Sequence, residues 1–220
     1  MKKPTGKIGS YRVHIDEARS PRGIFEKVPF PMVKDDIENY IAACFMKSAE
    51  KTFGQNFFIS NPQKNELNDF DFSVTTPKGK AHLELMEIAP LHLHRGGHER
   101  APNSYDRYEL AKFIHSKIAN KSEKYPGNLS GELFLLLYIT DFKFVLSDTT
   151  LHILRYFCHK SPLKFDVIFL YTPLDETEGH VKWVHPMEES DFKGFDPEQY
   201  RGVVLNLDSE KFEVITDKKT

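Results

Sequence analysis

Two acidic residues thirteen positions apart, Asp71 and Glu84, are the side chains of this sequence best placed to do chemistry together. On the first of two short runs, Phe70, Phe72 and Val74 alternate with Asp69, Asp71 and Ser73; on the second, Leu83 and Leu85 alternate with His82, Glu84 and Met86. Such period-two alternation marks the arms of a β-hairpin with one apolar face. Opposite residues of a hairpin share a face, so an even-length loop, 77–78 or 77–80, sets Asp71 and Glu84 on the same side. A three-residue loop would put Glu84 opposite Phe72 and spoil the apolar face. Two neighbouring carboxylates repel unless a cation or a proton lies between them, and hard oxygen donors suit Mg²⁺. Parity sets Glu87 on the face of Leu83 and Leu85, so either a bulge re-aims it or the strand ends there.

The elements that would position these acids follow from hydrophobic spacing. Apolar residues Val33, Ile37, Tyr40, Ile41, Cys44 and Phe45 recur at helical intervals over 32–53, and Gly54 supplies a C-cap. Segment 56–60 (NFFIS) reads as a short strand leading to the hairpin. Ser104 is the expected cap of a second helix running to about residue 122, with Tyr105, Tyr108, Ala111, Ile114 and Ile118 as its stripe. Segments 132–139 and 166–171 are nearly continuous in hydrophobicity, as central strands covered on both faces are, and 149–159 forms a helix between them. Strand-like pieces at 181–184, 203–207 and 212–215 are expected to extend the sheet. The result is a single α/β domain over 31–216, a mixed central sheet flanked by helices, preceded by an arm or edge strand (1–30) and followed by a solvated tail (217–220).

Bulk properties narrow the partners. A chain of 220 residues with 18 Phe can bury one substantial core. A net charge of −2 argues against coating nucleic acid by charge alone, so any such contact must be local. A modest basic excess does occur after the acidic hairpin, where Arg95, Arg100, Arg107, Lys112, Lys117, Lys121 and Lys124 face four acids; a phosphate backbone would enter there. Cys44 and Cys158 sit in apolar helical patterns, which suits buried thiols and a reducing, cytoplasmic setting. No apolar run approaches the roughly 18 residues of a membrane span. His92, His94 and His98 have a spacing that could ligate zinc, although a polar surface loop without a nearby Cys is the commoner outcome, and Arg95-Gly96-Gly97 lacks the spacing of a P-loop.

Helix, strand, acidic hairpin, helix, strand, with Asp71 and Glu84 in the hairpin, resembles the PD-(D/E)XK phosphodiesterase superfamily of restriction and repair nucleases. The resemblance spans residues 32–141. It implies a restriction-endonuclease-like fold in which Asp71 and Glu84 hold Mg²⁺, Glu38 of the first helix adds a further acid, and a phosphodiester bond of a nucleic acid is hydrolysed. Phe70 stands where that family has proline and Met86 where it has the catalytic lysine. By resemblance the missing cation comes from Lys80, which shares the parity of Glu84, or from Lys112 on the following helix. The alternative expectation is a non-catalytic module of this or another α/β fold that binds protein or nucleic acid with its acids merely solvated.

Overall fold

The computed structural model describes residues 6–15, 21–54, 57–65, 70–89, 97–127 and 129–212. Gly9–Ile15 (β1) and Pro21–Lys27 (β2) pair antiparallel into a ribbon of their own, outside the main sheet. Helix α1, Lys34–Phe53, carries Asp35 and Asp36 in its first turn, where the helix dipole favours negative charge. Gly54 ends it at φ +55°, a conformation that side chains resist, and its N–H donates to the Glu50 carbonyl.

The next strand, β3, is Ser60–Lys64, four residues later than the expected NFFIS strand. The reason lies in the aromatics. Phe57 packs edge-on against Phe45 at 5.9 Å and Phe58 against Phe134 at 5.8 Å, so these rings plug the core while the polar SNPQK segment takes the edge position. Pro62 and an irregular register between Ser60 and Gln63 are features an edge strand tolerates. Phe72–Thr76 (β4) and Gly79–Glu87 (β5) form the hairpin. Thr76 pairs with Gly79, so the connection is the two residues Pro77 and Lys78, and Phe72 lies opposite Leu83.

Ser104–Asp106 is a three-residue strand, β6, and α2 runs Arg107–Ser122. The cap is therefore Asp106, whose side chain accepts from the Glu109 N–H at 3.0 Å, and Ser104 is instead paired with Leu205 of a later strand. Leu133–Tyr138 (β7) is buried along its whole length; Asp148–His159 (α3) is capped by the Ser147 hydroxyl, and Val167–Pro173 (β8) follows. Gly179–His185 (β9) completes the main sheet. Val203–Leu205 (β10) does not extend it, pairing only with β6. The expected strand at 212–215 lies almost wholly outside the described residues.

The six-stranded sheet has the order β3-β4-β5-β7-β8-β9; β5, β7 and β8 are parallel and the outer pairings antiparallel. This single compact domain is thus mixed α/β. Side-chain alternation divides its core in two. Phe72, Val74, Leu83, Leu85, Phe134 and Phe169 join α1 on one face, while Leu133, Leu135, Leu137, Ile168 and Leu170 join α2 and α3 on the other. Each fully buried Leu contributes roughly 1.5–3 kcal/mol. Cys44 and Cys158 are both free and buried. Among the described residues, no helix is long and apolar enough to cross a membrane.

Candidate functional site

Strand parity decides where Glu84 points. Its neighbours Leu83 and Leu85 face α1, so Glu84, beside Leu135 of β7, faces α2, in a layer made mostly of apolar side chains. It is only 4% exposed. Lys121, at the last turn of α2, places Nζ 2.6 Å from Glu84 Oε2. Asp71 stands one residue ahead of β4, where the ladder between β4 and β5 ends. There its carboxylate replaces the backbone as acceptor: Oδ2 takes the Leu85 N–H at 2.8 Å, while the Asp71 carbonyl accepts from Asn65 N at 3.1 Å. The side chain is thereby held toward Glu84, and the two carboxylates interact directly.

The electrostatics follow from this placement. Burial pushes the Glu84 carboxyl above the usual range, the ammonium of Lys121 opposes that shift, and the charge of Asp71 adds to it. Burial, with the negative charges of Glu84 and Asp71, likewise raises the Tyr125 phenol, which stays protonated at neutral pH and can donate to Glu84. Both carboxylates open into a cavity of about 570 Å³.

Glu38 reaches the same cavity from α1 and is equally buried at 4% exposed. Its oxygens are held by Lys64 at 2.5 Å and Lys34 at 3.2 Å. Among the described residues, no group of three or more His, Cys, Asp or Glu is arranged to hold a metal ion, so Glu38, Asp71 and Glu84 do not converge as a triad. The pair Asp71 and Glu84 is what remains for a cation.

The other candidate residues lie elsewhere. Lys80 is exposed opposite Thr75, toward the hairpin turn, and Lys112 reaches over the Tyr108 ring at 5.9 Å; neither lines the cavity. Arg107 opens α2 with its N–H on the Gly202 carbonyl, roughly 20 Å along the axis from Lys121. Arg100 is exposed on a short helical turn, Gly97–Arg100, and also lies outside the cavity lining. Arg95, His92 and His94 lie outside the described residues; His98 is buried, 6.0 Å ring to ring from Phe144. Glu87 ends β5 without a bulge and accepts the Thr140 hydroxyl.

Lys121 was legible in principle: it lies seven residues after Ile114 and three after Ile118, the buried phase of α2. A lysine in that phase needs an acid on the sheet beneath it. Lys64 offers no such signal, because its strand is polar throughout. No protein-family model, curated protein or solved structure matches the chain.

Proposed function

We propose that the protein is a metal-dependent phosphodiester hydrolase acting on nucleic acid, with a restriction-endonuclease-like core running from α1 through β3, β4, β5 and α2 to β7. The observation that carries this reading is the meeting of Asp71 and Glu84 with the ammonium of Lys121 at the wall of one cavity. Two carboxylates suit Mg²⁺, which commonly binds through one or two of them and keeps several waters. Burial first, and the neighbouring charge of Asp71 after it, raise the affinity of Glu84 for its proton despite Lys121, so a cation bound between the two carboxylates would relieve their repulsion. Bound there, Mg²⁺ supplies charge neutralisation for the scissile phosphate and acidifies a coordinated water.

The chain's own groups divide the remaining tasks. Asp71, fixed by the Leu85 N–H, keeps its other oxygen for the cation. Lys121, its Nζ on Glu84, is our candidate for the role of the lysine that Met86 replaces: to orient a water and offset negative charge as it develops on the phosphate. The protonated Tyr125 phenol is a second donor beside Glu84. Lys34, Lys64 and Lys124 add positive potential at the cavity for a phosphate backbone. The buried free thiols suit a reducing cytoplasm.

A second reading is favoured by the same contact. At 2.6 Å, Lys121 already neutralises Glu84, as it would in a non-catalytic module that binds protein or nucleic acid without metal. Calorimetric titration with Mg²⁺ and Mn²⁺ separates the two. The hydrolase reading expects heat from the native protein and none from Asp71→Ala or Glu84→Ala, with cleavage of single- or double-stranded substrates following the same pattern. No heat from the native protein, or equal heat from the variants, leaves the non-catalytic reading.

A further inference from the structure

The ribbon of β1 and β2 stands outside the main sheet, and β2 pairs with no strand but β1 among the described residues. An open strand edge carries unsatisfied N–H and C=O groups and is a template for a further strand. The Val28 N–H donates to the Ile8 carbonyl, and bonded and non-bonded pairs alternate along an antiparallel ladder, so Glu26, Ile24 and Arg22 bond toward β1. Gly23 and Phe25 therefore direct their backbone groups outward, where no described residue meets them.

The side chains along this edge carry charge in a particular order. Arg22, Ile24 and Glu26 share one face, and Ile24 is 47% exposed. Beside Glu26 lies a cavity lined also by Lys27, Asp175, Glu176 and Thr177. Arg12 bridges Glu26 and Asp175 at 3.0 and 3.3 Å, so Glu26, Asp175 and Glu176 are set against only Arg12 and Lys27. This patch is short of one cation.

We infer that β2 is the contact through which two copies of this chain associate, edge to edge and antiparallel about a two-fold axis at Ile24. Outward backbone groups must meet outward groups, which limits where the axis can fall. An axis at Arg22 or Glu26 sets like charges face to face, and one at Gly23 or Phe25 sets a charge against Ile24. With the axis at Ile24, Arg22 of each copy meets Glu26 of the other, Ile24 meets Ile24, and Gly23 and Phe25 exchange their backbone bonds. Arg22 of the second copy is then the cation that the Glu26 patch lacks. The outer edge of β1 has no such complement, since it carries Arg12 and His14 and no acid. A two-fold contact of this kind closes after two copies. One seven-residue strand makes a small interface, so association depends on concentration.

The test is sedimentation velocity on the full chain, from micromolar to near-millimolar concentration. The native protein is expected to pass from 25.5 kDa to twice that mass. Arg22→Glu and Glu26→Arg should each weaken the dimer at least about tenfold. An equimolar mixture of the two variants should restore it, because each altered side chain then meets its opposite. Glu26→Arg also loses the pairing with Arg12 inside its own ribbon, which mixing does not repair, so rescue separates contact between copies from local damage. Ile24→Cys checks the geometry: facing residues of a non-bonded pair lie within disulfide reach, so this variant should cross-link on oxidation by copper phenanthroline, whereas Val13→Cys on β1 should not. The native Cys44 and Cys158 are buried. A monomer at every concentration, no rescue on mixing, or equal cross-linking of the two cysteine variants overturns the inference. No readout here involves metal or nucleic acid, so the dimer stands or falls separately from the hydrolase reading.

Discussion

Glu38 and Glu84 are buried to the same degree, and each accepts from a lysine at nearly the same distance, 2.5 Å from Lys64 and 2.6 Å from Lys121. They differ in the company beyond that lysine. Glu38 has a second ammonium, Lys34 at 3.2 Å, and Asp35 lies 3.8 Å from Lys64, so two lysines balance two carboxylates there. Glu84 has a second carboxylate, Asp71, and its surroundings carry a negative excess. Burial and pairing are common to both; a surplus of negative charge is found only around Glu84.

The largest effect should come from cutting the acid-rich cluster. Asp71→Ala and Glu84→Ala are each expected to abolish Mg²⁺ heat and lower cleavage by at least about 10²-fold, while Glu38→Gln changes metal affinity by less than about twofold. An equal loss in Glu38→Gln would break the comparison. Lys121→Met should lower the cleavage rate by about 10²-fold and yet tighten Mg²⁺ binding, because the competing ammonium is gone; calorimetry and rate measurements on one preparation check both signs. Glu38→Gln should cost about 2 kcal/mol in urea unfolding, since Lys64 loses a buried partner but retains a path to solvent.

Acidity sharpens the contrast further. The folded Glu84 carboxyl holds its proton to higher pH than the unfolded one, whose ordinary value is 4.5. Between 4.5 and that raised value the native state binds more protons, so wild-type stability falls as pH rises through the window. Glu84→Gln removes this step, and its stability relative to wild type should climb as pH is raised from 4 to 7 in parallel unfolding curves; a constant difference would refute the shift. The smallest effect belongs to Lys34→Ala. Lys34 is largely exposed and one helical turn from Glu38, so its loss should cost no more than about 0.5 kcal/mol by thermal unfolding.

The sequence made the interior strands and their flanking helices readable because β7 and β8 have no polar interruption and α1 and α3 repeat apolar residues at the helical period. It misled where one residue type serves two ends. Phe57 and Phe58 suggest a strand but fill the gap beneath α1, leaving polar Ser60–Lys64 to pair with β4. Ser104 resembles a cap, yet it and Tyr105 pair with β10, and Asp106, the last residue of that ladder, performs the role. The acidic pair was legible because hairpin parity is a local rule and the loop is even in length. Lys121 escaped because its contact with Glu84 depends on how α2 crosses the sheet, a long-range choice that leaves only a phase clue in the chain. Lys80 and Lys112 fit the spacing and missed the geometry.

The Leu85 N–H, bonded to a side chain where its neighbours bond to strand backbone, makes this strand its own gauge. Amide proton shifts respond to the charge of their acceptor, so the Leu85 resonance reports what reaches the carboxylate it is bonded to. A ¹H–¹⁵N titration following that single peak would register a proton or a divalent ion arriving at the acidic hairpin without any substrate, label or turnover.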